Sequence, residues 1–250
     1  TEYISSFGFN PEELPANLSM ALGSASLAPI DIVRGYAAFA NGGYLIEPYF
    51  IEKVTDAKGV VRFVTSPQVV CDDCQFDETS DIEPIAVVEK AEPSFRPLQI
   101  ETGEDLVVKE QETYRTQDMV ASPTPAQRII TEQNAFLIRS MMMDVVRRGT
   151  GKKAMELGRN DLAGKTGTTN DQRDAWFSGY NNEVVTSVWV GFDSHEPLGR
   201  NEVGGKAALP IWIDYMRVAL QSVPDQAPEI PEGITQARID PVSGLLAGID

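Results

Sequence analysis

The stretch DLAGKTGTTNDQRDAWFSGY, residues 161–180, holds the residues whose types and spacing could do chemistry. Two chemistries compete for it. Gly164-Lys165-Thr166 ends like a phosphate-cradling loop, and Lys165-Thr166-Gly167 reads like part of an acyl-transfer site. A phosphate loop needs G-x-x-x-x-G-K-[ST] leading into a helix whose N-terminus faces the anion. With Gly164 as its second glycine, the first should stand where Arg159 is; Gly158 comes one residue too early. After Gly167 come a polar turn and then DAWFSGY, a strand pattern. Spacing and context both fail.

The acyl-transfer reading fits better. Side chains alternate along a strand, so Thr166 and Thr168 share a face. Two hydroxyls near the Lys165 ammonium make a receptor for a carboxylate. Gly167 between them lets a substrate approach the backbone closely. A strand edge also pairs with an extended peptide and lends a backbone N–H to a developing oxyanion. These features suit acyl transfer on a peptide ending in a carboxylate. Three letters alone are weak, because a surface strand with a lysine carries the same tripeptide.

The elements that must position these residues are legible around them. LAGKTGT, DAWFSGY and EVVTSVWVGF read as three consecutive strands joined by short turns. LPIWIDYMRVALQS is an amphipathic helix around Pro210, and QARIDPVSGLLAG reads as a strand-turn-strand tail. Thr131 can cap a helix running to about Arg148, with Ile138, Met141, Met142 and Val145 along one face. Its Met run reads as core packing. Further upstream, LAPIDIVRGYAAFANGG is a helix with Pro29 in its first turn and Gly42-Gly43 at its end. A hairpin follows around Lys58-Gly59. Helices, an antiparallel meander and another helix predict an α+β fold, an antiparallel sheet flanked by helices.

Composition bounds the rest. The chain has 250 residues, 42% hydrophobic and 23% charged, enough for one large domain or two small ones. Its formal net charge of −16 argues against nucleic acid and anionic lipid as partners. No apolar run approaches the ~18–20 residues that span a bilayer, so no membrane contact is expected of this segment. From Cys71 to Glu112 there are thirteen acids against three bases, with scattered prolines and no persistent period. That block reads as an irregular insertion with a solvated acidic surface. Cys71 and Cys74 flank two aspartates. With the single His195 they are too few for a zinc site, and the acids between them disfavour a reactive redox pair. A disulfide and a pair of free thiols both stay open. Thr1 would be a nucleophile if its own amine activated it, and an arbitrary boundary is the plainer reading.

GKTGTTNDQRDAWFSGYNNEVVTSVWVGFD resembles the transpeptidase domain of class A penicillin-binding proteins, above all those of Gram-negative bacteria. The likeness extends to LPANLSMALGSASLAPIDIVRGYAAFANGGYLIEPYFI, to RIITEQNAFLIRSMMMDVVRRGTGKKAMELGRNDLAGKTGTT and to LGRNEVGGKAALPIWIDYM. It covers most of the chain outside the acidic block, and the Cys-x-x-Cys pair has counterparts there. The resemblance implies a serine D,D-transpeptidase that acts on peptidoglycan stem peptides and is acylated by β-lactams, with no cofactor and no metal. It implies that Lys165 belongs to the catalytic network, that Thr166, Gly167 and Thr168 bind the donor carboxylate, and that the Thr168 N–H is half of an oxyanion hole. It implies further partners: the upstream part of the same protein and an outer-membrane lipoprotein activator. The location implied is the periplasmic side of the inner membrane, anchored by an upstream helix.

Such enzymes also need S-x-x-K and S-x-N. No serine in these 250 residues has Lys at the fourth position or Asn at the third. The expectation is that residues 1–222 are the C-terminal part of the domain, with the insertion at about 66–125, and that 223–250 form a tail. The nucleophile would then lie upstream, and the chain alone would be inactive. A non-catalytic peptidoglycan-binding or regulatory module of the same fold is the alternative.

Overall fold

Local sequence explains each element that carries the Lys165 strand. The structure, a computed structural model, describes residues 2–71, 123–240 and 242–246. The acidic block from residue 72 and Cys74 lie outside those residues. Helix α1 (Pro29–Ala40) opens on a proline, whose missing N–H costs nothing there, and Asp31 meets the positive end of the helix dipole. It leaves through Gly42 and Gly43, with φ of 84° and 109°. Gly43 also needs its missing side chain: a Cβ there would lie 2.2 Å from Ile130 O. The chain then runs through Tyr44–Leu45, paired antiparallel with Gln127–Arg128.

Helix α2 (Glu132–Arg148) begins where expected. Thr131 Oγ1 accepts from Asn134 N at 3.2 Å. Arg147 and Arg148 sit at the negative end of its dipole, and Gly149 stops it. The buried face differs from the expected one. Ala135, Arg139, Met143 and Val146 are inside, whereas Met141 is 57% exposed and Ile138 and Val145 are half-buried. Three consecutive methionines carry no helical phase, and hydropathy assigns an arginine to solvent; those two facts rotated the expected face by about one residue.

The sheet is β1 (Ala163–Thr168), β2 (Asp174–Tyr180) and β3 (Val185–Gly191), antiparallel in that order. Its rows run Lys165–Ser178–Ser187 and Thr166–Phe177–Val188. Alternation sends successive rows to opposite faces. On one face Ala163 and Tyr180 pack with Met143, Tyr36 and Phe39. The Tyr36 and Tyr180 rings meet edge-on, 6.3 Å apart. On the other face Phe177 meets Trp212 of α3 (Leu209–Ala219), with ring centroids 4.9 Å apart. Trp212 is fully buried and donates its indole N–H to Thr186 O at 3.1 Å. Leu209, Ile213 and Met216 complete that cluster. Burying such side chains contributes about 1.5–3 kcal/mol each. The α+β class, with an antiparallel sheet flanked by helices, is the architecture found.

Two short features depart from the expected pattern. A single helical turn, Gly204–Ala207, precedes α3. The expected strand-turn-strand tail reduces, among the described residues, to one bridge between Ile239 and Leu246. The chain divides into two units, and the sheet belongs to the one formed by residues 1–49, 68–71 and 125–250. In the other unit, Lys53–Thr55 and Val61–Val64 form the expected hairpin. Its turn is closed by Asp56, which accepts from Lys58 N and Val60 N at 2.9 and 3.0 Å. Among the described residues, no helix is long and apolar enough to cross a membrane.

Candidate active-site cleft

Among the described residues, strand β1 pairs only with β2, which leaves its outer edge open. Thr169 N donates to Asp174 O at 3.0 Å, which marks residues 169 and 174 as a hydrogen-bonded pair. Antiparallel alternation then turns the N–H groups of Thr166 and Thr168 outward, toward the open edge. A cleft of about 1000 Å3 lies along that edge. Lys165, Thr166, Gly167 and Thr168 line it, with Tyr36, Trp176, Trp189 and residues 23–27. The sequence-predicted quartet is therefore brought together at one wall.

Its side chains are arranged differently from the simple expectation. Thr166 and Thr168 do share a face. The Lys165 side chain belongs to the opposite face, in the row with Ser178, and its Nζ donates to Thr166 O at 2.9 Å. A period of two cannot put residues 165, 166 and 168 on one face. The ammonium reaches the hydroxyls' edge by folding over the strand. The hydroxyls are also already engaged. Thr166 Oγ1 lies 2.8 Å from Thr150 Oγ1, and Thr168 Oγ1 accepts from Gly204 N at 3.1 Å. A threonine hydroxyl has one proton and two lone pairs. With a lone pair held by Gly204, the Thr168 proton stays available for an anion.

Gly167 stands opposite Trp176, and a Cβ on it would lie 3.1 Å from Trp176 Cβ. Gly204 is tighter still: its Cβ would lie 2.2 Å from Trp176 O and 2.5 Å from Gly167 O. The helical turn at 204 thus rests directly on β1 and β2.

The β1–β2 turn is held under strain. Asp171 and Gln172 have φ of 59° and 56°, and His195, in the loop after β3, has 53°. Such left-handed residues cost about 1–2 kcal/mol each. Asp174 braces the turn. Its Oδ1 accepts from Trp189 Nε1 at 2.9 Å, and its Oδ2 accepts from Thr169 Oγ1 at 3.2 Å. Asp174 N donates back to Thr169 Oγ1 at 2.8 Å, and His195 Nδ1 lies 3.6 Å from Oδ2. Leu198 N donates to Gln172 O at 2.9 Å.

A buried ion pair anchors the start of β1. Asp161 is fully buried, and Arg159 grips both of its oxygens, at 2.9 and 2.6 Å. Asn181 Nδ2 donates to Oδ2 at 3.2 Å. Burial pushes the Asp161 carboxyl up, but the hydrogen bonds from Arg159 and Asn181 outweigh it and hold the group below the usual carboxylate range. On the cleft side, burial raises the Tyr36 hydroxyl against an opposing Ser178 hydrogen bond, so it stays protonated at neutral pH.

Sequence reasoning missed Thr150, Asp174, Trp176, Trp189 and Gly204. The alternation in DAWFSGY and VVTSVWV carried a signal for the tryptophans, since both fall in the row of Gly167. Nothing local connects Gly204 or Thr150 to β1. Among the described residues, no group of three or more His, Cys, Asp or Glu is placed to hold a metal. Cys71 is disulfide-bonded, and the other cysteine of the chain, Cys74, lies outside the described residues.

Residues 5–198 match the family model described as penicillin binding protein transpeptidase domain. The chain is 46% identical to penicillin-binding protein 1A of Pseudomonas aeruginosa, over 98% of its own length and 29% of that protein. It is 36% identical to penicillin-binding protein 1A of Escherichia coli, over 98% of the chain and 32% of that protein. The crystal structure of penicillin-binding protein 1A from Haemophilus influenzae superposes with a TM-score of 0.75 at 34% identity, covering 98% of this chain and 34% of that one. The chain thus spans about a third of the length of these relatives.

Proposed function

This chain belongs to the penicillin-binding protein transpeptidase family, and from that premise we propose that its Lys165–Thr168 edge is one wall of a peptidoglycan D,D-transpeptidase cleft. One observation carries the reading: a strand edge that is unpaired among the described residues turns the Thr166 and Thr168 N–H groups toward a cleft of about 1000 Å3. An extended stem peptide pairs with such an edge as an added strand.

The proposed chemistry assigns each group a task. The Thr168 hydroxyl, with one lone pair taken by Gly204 N, donates its proton to the terminal carboxylate of the donor peptide. Thr166 supports it from the same face. The Thr168 N–H meets the oxyanion, a contact worth about 3–4 kcal/mol in the transition state. A serine from a part of the protein outside these 250 residues attacks the penultimate D-alanine carbonyl. An ester forms, the C–N bond to the terminal D-alanine breaks, and the serine proton goes to the leaving amine. Lys165 stabilises charge in that transfer network. An acceptor amine then attacks the ester, forms the cross-link and returns the proton to the serine. A β-lactam enters as the donor and leaves the serine acylated. No cofactor takes part.

The same reading puts the whole protein on the periplasmic side of the inner membrane, anchored by a segment outside this chain. A lipoprotein activator of the outer membrane is its proposed regulator.

Fluorescent penicillin tests this directly. The 250-residue chain alone should take no covalent label, and a longer protein that includes the S-x-x-K segment should. In that longer protein Lys165→Ala should abolish labelling, and Thr168→Val should slow it about tenfold or more, the worth of a hydrogen bond to a charged group. Covalent labelling of the short chain, or undiminished labelling of Lys165→Ala, overturns these assignments. A longer protein that binds stem peptide but never labels would instead be a non-catalytic module of the same fold.

A further inference from the structure

A second cavity, of about 290 Å3, shares no residue with the Lys165 cleft. Phe39 and Ala40 of α1, Ala135 and Phe136 of α2, and residues 226–229 and 231 line it. Arg139 is the cationic residue in its lining. That arginine is only 5% exposed. Among the described residues its guanidinium makes one long hydrogen bond, 3.4 Å to Asp161 O, and rests 5.8 Å from the centre of the Tyr180 ring. Its Nε has no hydrogen-bond partner in the protein among the described residues. Asp161, whose charge acts on Arg139, has its carboxylate committed to Arg159. A buried guanidinium with no carboxylate hydrogen-bonded to it is costly, and its planar fork of N–H donors matches a carboxylate. Burial accordingly pushes the Arg139 pKa down.

The rest of the cavity narrows the ligand. Glu132 and Glu229 also line it, and both are exposed. Two carboxylates against one guanidinium repel a simple anion and suit a ligand whose outer end is positive. The 223–232 segment that closes this side is pinned along its length. Gln133 Nε2 donates to Glu232 O at 2.9 Å, Asn182 Nδ2 to Gln226 O at 3.2 Å, and Arg159 to Val223 O and Pro224 O, each at 2.7 Å.

We propose that this cavity binds a small zwitterionic amino acid, with its carboxylate on Arg139 and its ammonium toward Glu132 and Glu229. The site stands on its own residues and does not depend on the transpeptidase reading. If that reading holds, free D-alanine is the amino acid that the reaction releases.

The test follows the Arg139 Nε–H resonance by NMR in the 250-residue chain labelled with 15N-arginine. The resonance is assigned by its loss in Arg139→Lys and by its proximity to the Tyr180 ring. Glycine, D-alanine, acetate and methylammonium are titrated separately. Glycine and D-alanine should shift the resonance saturably, in the millimolar range typical of so small a ligand. Acetate should bind about tenfold more weakly, and methylammonium should not move the signal. The double variant Glu132→Gln, Glu229→Gln leaves the buried arginine untouched and should reverse the order, acetate then binding more tightly than glycine. Hydration alone would leave the resonance unmoved by every probe, and that result overturns the proposal. So does acetate binding as tightly as glycine in the unaltered chain, or an unchanged order in the double variant.

Discussion

Asp161 shows how one side chain controls the strand that follows it. Its carboxylate is buried, forked by Arg159 and capped by Asn181. Asp161→Ala would take away the carboxylate that the Arg159 fork holds and leave only the Asp225 charge acting on it, at a cost of about 3–5 kcal/mol. Denaturant titration at neutral pH measures that. The pH dependence has a definite sign. The carboxyl titrates lower in the folded chain than in the unfolded one, where it titrates near about 3.9. Its stabilisation is therefore complete above that value and is lost as pH falls toward the folded one. The gap between the variant and the unaltered chain should narrow in acid; a gap that widens would refute this linkage. Gly204 makes a second residue-scale case. A methyl at 204 would collide with the carbonyls of Gly167 and Trp176, which cannot swing away as a side chain could. Gly204→Ala should cost about 1–3 kcal/mol, the usual range for overpacking. In the longer protein it should also slow penicillin acylation, because Gly204 N orients the Thr168 hydroxyl. Normal acylation with lowered stability would separate the packing role from the orienting one.

Among the elements, the three-strand meander was readable because its polar and apolar residues alternate without interruption and its turns are short. The α2 face was not, because hydropathy is uniform from Met141 to Met143 and the core position between Ala135 and Met143 is Arg139. Helix α3 reads correctly as amphipathic, and the structure adds what its inner face touches. Trp212 packs on Phe177 and donates to Thr186 O, so it ties the helix to two strands at once. Trp212→Ala should cost about 3–5 kcal/mol. Trp212→Phe should cost less, since it keeps a ring against Phe177 and loses the indole hydrogen bond. Thermal melts of the two variants check the order, and equal losses would mean that the hydrogen bond, not the ring, dominates.

Across the whole sheet-bearing unit, the segment after α3 is fastened to both ends of the β1 anchor. Arg159 donates to Val223 O and Pro224 O while holding Asp161, and Asp225 accepts from Asn160 N. Arg159→Ala should release residues 223–232 to limited proteolysis and lower stability together. Asp225→Ala should raise cleavage there while leaving the Arg159–Asp161 pair intact. Cleavage unchanged in both would show that prolines alone hold the segment. What the sequence determined by itself is the set of local things: strand alternation, the helix starts at Thr131 and Pro29, the glycine exits, and a Lys-Thr-Gly tripeptide in strand context. These depend on neighbours a few residues away, so they are written in consecutive letters. What only the tertiary structure decided is which groups meet across the chain. Thr150 beside Thr166, Gly204 on Thr168, Trp189 on Asp174 and a cavity beside Arg139 join residues that are 15 or more positions apart. Such contacts are set by how layers pack, and packing depends on shape and burial summed over the fold. That is why the Lys165–Thr168 strand could be named from the sequence, whereas the direction of its lysine, and the bracing that orients its hydroxyls, could not.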